Sequence, residues 1–168
     1  AAAAQEAGMS LPDYEDFVFA ACFCDRADPV AAWLELSRAQ QVFVDFLDTV
    51  RTLRYEAPGF ELELSVAGRK WINSDGKANF PSGEVFSAPV EDSARGRVRF
   101  DVPGNQSGRR VTGVTLEFES GRVVKAAAEQ GEDVLNALLD TDPGARALGE
   151  AAFGLNYGIT RPTGNILF

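Results

Sequence analysis

The chain has 168 residues, of which 45% are hydrophobic and 24% charged, a length and composition typical of one globular domain with its own core. Its formal net charge is −9 and its 16 basic residues are scattered, which argues against nucleic acid or an anionic membrane as a partner. The sequence has neither the roughly 18 consecutive apolar residues of a membrane helix nor the pattern of a signal peptide, so a cytoplasmic location is the simplest expectation.

The sequence contains no histidine. For this chain by itself, that excludes Ser-His-Asp triads, Cys-His zinc fingers and histidine-rich metal motifs. Its two cysteines, Cys22 and Cys24, lie two positions apart in an apolar helical run, which points their side chains in directions about 200° apart. We therefore expect two buried, unbridged thiols, and any metal must be held by oxygen.

The N-terminal part is predicted to be helical. Residues 1–10 begin with four alanines and are expected to be a disordered tail or an artificial extension. Residues 11–52 form a predicted helical annex, in which the apolar spacing over Leu11–Cys24 indicates the first helix. Asp28 followed by Pro29 is typical of a helix N-cap and first turn, and predicts the start of the second.

Residues 53–168 are predicted to form an α+β part dominated by four to six antiparallel strands. Alternating apolar residues and turn signals place these strands at Phe60–Val66, Arg69–Asn73, Arg97–Val102, Val111–Glu119 and Arg122–Ala128. Arg69–Asn73 is expected to be the hairpin partner of the strand before it, and Ser120-Gly121 to turn between the last two.

Helical spacing returns near the end of the chain. It predicts one helix over Glu132–Asp140 and a second from Asp142 to Phe153. The apolar residues Ile166–Phe168 then indicate the start of another strand. The predicted fold class is α+β, with N-terminal helices followed by a mainly antiparallel sheet and two C-terminal helices.

Two carboxylates are candidate functional residues. Glu84 follows a Pro-Ser-Gly turn at the entry to an apolar strand, where the turn would fix its backbone. Glu150 lies between Leu148 and Ala151 on the predicted last helix, followed by a glycine-rich stretch. By spacing alone, each is more often a solvated residue than a ligand.

Several motifs, in order from about Asp16 to Phe168, strongly resemble the thermophilic aminopeptidase T family of metallopeptidases, peptidase family M29. They are Asn73-Ser74-Asp75-Gly76, Phe80-Pro81-Ser82-Gly83-Glu84-Val85-Phe86-Ser87-Ala88-Pro89, Asp92-Ser93-Ala94-Arg95-Gly96, Leu139-Asp140-Thr141-Asp142-Pro143-Gly144-Ala145-Arg146, Leu148-Gly149-Glu150 and Thr160-Arg161-Pro162-Thr163-Gly164-Asn165.

The resemblance implies an exopeptidase that removes N-terminal amino acids from peptides with two divalent metal ions, which could be cobalt, zinc, manganese or magnesium. It implies that Glu84 and Glu150 are metal ligands, with Glu150 the candidate for the bridging, catalytic position. A pair of ions of this kind can polarise the scissile carbonyl and activate water. Asn156 and Arg161 are weighed as cleft residues against a role in satisfying their own loop.

The resemblance also implies a homodimer for the parent protein, and further ligands, histidines and an aspartate, after Phe168. We therefore expect this sequence to be a portion of the catalytic domain, truncated at its C-terminal end and inactive alone. The alternative is a non-catalytic structural or interaction module that keeps the fold without a complete metal site.

Overall fold

The protein is described by a computed structural model that covers residues 1–106 and 108–163. Within these residues, three helices open the chain: α1 (Ala2–Glu6), α2 (Leu11–Ala21) and α3 (Pro29–Leu47). Both predicted annex helices are confirmed. The Asp28 carboxylate accepts a hydrogen bond from the backbone N–H of Ala31 at 2.9 Å and so caps α3, whereas α2 is capped by Ser10.

Helix α1 lies in the segment expected to be a disordered tail. Its Ala4 is buried, with 2% of its surface exposed, so at least this residue packs against the rest of the chain. The short alanine run therefore forms a helical turn, as its intrinsic propensity favours.

Ten strands lie in the described residues. In chain order they are β1 (Thr52–Ala57), β2 (Phe60–Ser65), β3 (Ile72–Ser74), β4 (Glu84–Ser87), β5 (Arg95–Phe100), β6 (Gly104–Gln106), β7 (Arg109–Val111), β8 (Val114–Glu119), β9 (Arg122–Ala127) and β10 (Ala151–Gly154). A five-stranded sheet has the order β1-β2-β5-β8-β9, with every neighbouring pair antiparallel. A second sheet has the order β10-β4-β3, and β6 pairs with β7.

The predicted pairing of Arg69–Asn73 with the strand before it is wrong. Strand β2 has β1 on one side and β5 on the other, so neither edge is left for a third partner. The strand that begins at Ile72 pairs instead with β4, where Asn73 lies opposite Val85. Alternation along a strand indicates extended backbone but does not identify its partner.

The α+β class is confirmed, but the prediction of the second C-terminal helix is wrong. Helix α4 (Glu132–Leu139) is present as predicted. From Asp142 the chain turns, because the Asp142 carboxylate accepts hydrogen bonds from the backbone of Gly144 and Ala145 at 2.6 and 2.9 Å. Residues 148–150 are irregular, and strand β10 takes the place of the end of the predicted helix. Two glycines in this short segment weaken its helical propensity, and pairing with β4 decides its conformation.

The chain divides into two compact units. The described residues of unit 1 lie in Ala1–Thr49, Trp71–Phe86 and Ala152–Phe168, and those of unit 2 in Val50–Lys70 and Ser87–Ala151. This division differs from the expected single boundary near residue 52. Unit 1 contains α1 to α3 with most of the three-stranded sheet, and unit 2 contains the five-stranded sheet with α4.

Each unit has its own core. In unit 1 the buried side chains include Phe17, Val44, Leu47, Trp71 and Val85, and in unit 2 Leu62, Leu64, Val66, Phe118 and Val123. None of the described helices is long and apolar enough to cross a membrane. The strand predicted at Ile166–Phe168 lies outside the described residues.

The two cysteines differ in exposure. Both are unbridged, as predicted, and Cys22 is buried, but Cys24 is exposed. Cys24 follows the end of α2, where the chain no longer keeps both thiols against the core. Burial raises the pKa of the Cys22 thiol, so Cys22 stays protonated at neutral pH.

Candidate functional site

Glu84 is the first residue of β4 and follows the turn formed by Pro81, Ser82 and Gly83. Its side chain is half-buried, and its register partner across the strand pair is Ser74. The backbone N–H of Gly83 donates to the carbonyl of Ser74 at 3.0 Å, which continues the pairing one residue beyond the strand. This hydrogen bond ties the backbone just before Glu84 to the end of β3.

Gln40 of α3 reaches the same strand end from the helix. It has no exposed surface, and its side-chain Nε2 donates to Asn73 Oδ1 at 2.6 Å, the Ser74 carbonyl at 3.1 Å and the Glu84 carbonyl at 3.3 Å. Gln40 is not among the functional residues predicted from the sequence. The available signal was a polar amide on a helix face whose other buried members, Val44 and Leu47, are aliphatic.

Asn156 holds the other side of the turn. Its side-chain Nδ2 donates to the carbonyls of Ser82 and Ala21 at 2.8 and 2.9 Å, and its Oδ1 accepts from the backbone N–H of Gly158 at 2.9 Å. The side chain is 8% exposed. These bonds engage it with backbone groups, so in this structure the loop role weighed for Asn156 is the one observed.

Gly83 lies at the closest approach between the turn and the segment around Asn156. Its carbonyl accepts from the backbone N–H groups of Leu155 and Asn156 at 2.7 and 3.0 Å. Its φ is +111°, and a Cβ added there would lie 2.4 Å from the Cβ of Asn156. Only glycine fits this position without moving the backbone.

Asp75 is a second acidic residue near the end of β3. Its side chain is 9% exposed and accepts hydrogen bonds from Ser37 Oγ at 2.7 Å and from the Lys77 ammonium group. The hydrogen bonds from Lys77 and Ser37 hold the pKa of this carboxyl below its usual range. Asp75 is therefore ionised at neutral pH and is engaged in ordering the loop after β3.

Glu150 is the residue before β10 and is exposed. It belongs to unit 2, whereas Glu84 belongs to unit 1. The prediction that Glu150 stands on a helix is wrong, because the segment before β10 is irregular and β10 itself is a strand. The apolar residues Leu148 and Ala151, taken for one helix face, belong to this extended stretch.

Glu84 and Glu150 each offer carboxylate oxygens to a divalent metal ion. Carboxylate oxygens are suitable ligands for such ions. Among the described residues, however, no group of three or more His, Cys, Asp and Glu side chains is placed to hold a metal ion. Within the part of the chain that the structure describes, neither Glu84 nor Glu150 therefore belongs to a complete metal site.

A model of the family described as thermophilic metalloprotease (M29) matches residues 1–168 of this chain. The chain belongs to the M29 family. This M29 chain is 42% identical to Aminopeptidase 2 of Geobacillus stearothermophilus over 140 residues, which cover 76% of the chain and 34% of that protein. It is 40% identical to Aminopeptidase T of Thermus aquaticus over 146 residues, which cover 80% of the chain and 36% of that protein.

Solved structures agree with this relationship. Wild-type AmpT from Thermus thermophilus matches with a TM-score of 0.68 and 37% identity over 77% of the M29 chain and 35% of its own length. A dihydroxypyridine dioxygenase from Pseudomonas putida KT2440 matches with a TM-score of 0.59 at 22% identity, which shows a shared fold alone. The M29 chain therefore spans about a third of the length of the relatives it matches.

Proposed function

We propose that this M29 chain is part of a metal-dependent aminopeptidase that removes N-terminal amino acids from peptides. The observation that carries the proposal is the family match over all 168 residues, together with relatives named as aminopeptidases at about 40% identity. The homodimer and the cytoplasmic location implied by the resemblance are proposals for the parent protein.

Glu84 and Glu150 are the proposed ligands of a pair of divalent ions, which could be cobalt, zinc, manganese or magnesium, and Glu150 is the proposed bridging ligand. The chemistry supplied by such ions when bound is polarisation of the scissile carbonyl and activation of water. The proposed role of Glu84 is that of a carboxylate ligand whose backbone is held in place by hydrogen bonds. Support for this role comes from the hydrogen bonds that hold the turn and the end of β4.

The 168-residue chain by itself is proposed to be inactive. We expect no hydrolysis of leucyl p-nitroanilide above the metal-only blank when the purified chain is given cobalt or zinc. Aminopeptidase T of Thermus thermophilus, assayed in parallel, is the positive control. Hydrolysis by the chain that a chelator abolishes would overturn the proposed inactivity.

The ligand assignment has a separate test by calorimetric titration with Mn²⁺. We expect Glu84→Ala and Glu150→Ala each to weaken binding relative to the wild-type chain, because each removes one carboxylate ligand. Glu119→Ala, which removes an exposed carboxylate of β8, is the matched control and is expected to bind as the wild type does. Equal binding by all four proteins contradicts the assignment.

A second candidate function is that of a non-catalytic structural or interaction module. It is favoured by the lack, among the described residues, of a group of three metal-ligating side chains. The two functions differ in the full-length parent protein: an aminopeptidase releases the N-terminal residue of a peptide in a metal-dependent way, whereas a module does not. Loss of that activity in Glu84→Ala of the parent would support the enzyme.

A further inference from the structure

Gln40 is a polar residue on the buried face of α3. Its Oε1 is buried and has no hydrogen-bond partner among the described residues. A buried acceptor without a partner is destabilising, and an aliphatic residue of similar size would not have one. What a glutamine supplies at this position and an aliphatic residue does not is the amide nitrogen, which donates to three acceptors.

The amide nitrogen is directed at the end of the β3–β4 pair. Ser74 and Glu84 are register partners, and both of their carbonyls accept from Gln40 Nε2. Two carbonyl partners require the nitrogen on this side of the amide. Asn73 is oriented to match, because its own Nδ2 donates to the Ser37 carbonyl at 2.9 Å and leaves Oδ1 for Gln40.

Three consecutive backbone carbonyls at the start of β4 each accept hydrogen bonds. The Ser82 carbonyl accepts from Asn156 Nδ2, the Gly83 carbonyl from two backbone N–H groups at Leu155 and Asn156, and the Glu84 carbonyl from Gln40 Nε2. The two side chains that do this, Gln40 and Asn156, come from distant parts of the sequence and are both buried. We call them the amide clamp.

We propose that Gln40 and Asn156 are positioning residues for Glu84. The amide clamp holds the Ser82–Glu84 backbone in one conformation, and this fixes the position from which the Glu84 carboxylate binds a divalent cation. This inference rests on the proposed ligand role of Glu84. Partners that orient a metal ligand typically change metal affinity 10- to 100-fold when they are removed. Neither clamp residue is proposed to touch the metal.

The test uses Mn²⁺ as a paramagnetic probe and the isotopically labelled 168-residue chain. Line broadening of the Glu84 side-chain resonances is titrated with Mn²⁺, and Glu84→Gln identifies the broadening that depends on this carboxylate. In Gln40→Met, which keeps the size of the side chain but removes the donor, we expect the apparent Mn²⁺ affinity at Glu84 to fall about 10-fold.

Val44→Ala is the matched control, because Val44 is buried one turn further along α3 and has no hydrogen-bonding side chain. It is expected to destabilise the chain while leaving the Mn²⁺ affinity at Glu84 within about twofold of the wild type. If Gln40→Met does not fold, Asn156→Ala removes the other half of the amide clamp and is read in the same way.

The outcomes separate the two proposals. A folded Gln40→Met that keeps the wild-type affinity overturns the positioning role, as does an equal loss in Val44→Ala. If the wild-type chain and Glu84→Gln broaden alike, Glu84 is not a ligand: the proposed ligand assignment then fails, and the positioning role fails with it. A specific loss in Gln40→Met with Val44→Ala unchanged supports both.

Discussion

At Gly83, the absence of a side chain allows a loop and a turn to touch. Replacing it with alanine would place a Cβ 2.4 Å from the Cβ of Asn156, in a backbone conformation with φ of +111°. Overpacking and backbone strain each cost about 1–3 kcal/mol. We therefore expect Gly83→Ala to lower the free energy of unfolding by about 3 kcal/mol or more, measured by chemical denaturation.

Gly8 provides the control for this substitution. It also has a positive φ, +65°, but an added Cβ would meet nothing within 4 Å. Gly8→Ala should therefore cost only about 1 kcal/mol, the cost of the backbone conformation alone. Equal losses in the two variants would mean that the contact with Asn156 does not constrain Gly83.

Asp75 should make stability depend on acid pH. Its pKa is lowered in the folded chain by Lys77 and Ser37, whereas in the unfolded chain it is about 3.9. The folded state therefore holds this proton less tightly. The stability contributed by Asp75 is fully present well above the unfolded-state pKa and is lost as pH falls through the folded-state pKa.

The measurement is the free energy of unfolding between about pH 5 and pH 2 in the wild-type chain and in Asp75→Asn. We expect the variant to be less stable at neutral pH and to lose less stability on acidification. The control is Asp101→Asn, which changes an exposed carboxylate. A parallel pH dependence in the wild type and Asp75→Asn would contradict the lowered pKa.

At the scale of elements, helix α3 depends on its N-cap. Asp28→Ala removes the acceptor for the Ala31 N–H and is expected to cost about 1 kcal/mol. For a chain of this size that corresponds to a fall in Tm of about 2–4 °C, measured by circular dichroism. Asp25→Ala, three positions earlier, removes a charge without a cap and should leave Tm nearly unchanged; an equal fall would make charge the cause.

Elements set by neighbouring residues could be predicted from the sequence. Helix α3 begins where Asp28 and Pro29 supply a cap and a first turn. The β8–β9 hairpin turns at Ser120 and Gly121, whose φ values of +47° and +76° suit a tight hairpin turn. In both cases the signal lies within a few residues of the boundary that it determines.

Elements set by distant residues could not. The short β10 follows Glu150 and is extended because β4 is available to pair with it, and nothing in its own residues says so. Strand β1 was missed although Leu53 and Tyr55 alternate with polar residues, since the alternation is short. For the candidate site, the Pro-Ser-Gly turn before Glu84 could be predicted from the sequence.

The hydrogen bonds of Gln40 could not be predicted from the sequence, because they depend on how α3 packs against the β3–β4 pair. Their one trace in the sequence is a polar residue on an apolar helix face, a pattern shared with many residues that have no such role. The ligand roles of Glu84 and Glu150 come from family resemblance and stay predictions.

At the scale of the whole molecule, the excess of acidic residues predicts that the chain does not bind DNA. With 25 acidic and 16 basic residues, we expect no binding to a fluorescent DNA duplex at about 0.15 M salt, because binding requires clustered cations that release counterions. Fluorescence anisotropy measures this, and a basic DNA-binding protein is the positive control. A salt-dependent rise in anisotropy with this chain would contradict the prediction.

The order of segments in unit 1 affects how the chain can fold as it is made. Strand β4 lies between β3, which precedes it, and β10, which follows only after residues 88–150 have been synthesised. At about 5–20 residues per second, that interval lasts several seconds. Until it ends, a nascent β4 has one open edge and the Gly83 carbonyl lacks the donors at Leu155 and Asn156. During those seconds the chain carries the pairing hazard of an exposed strand, which the finished fold no longer has at β4.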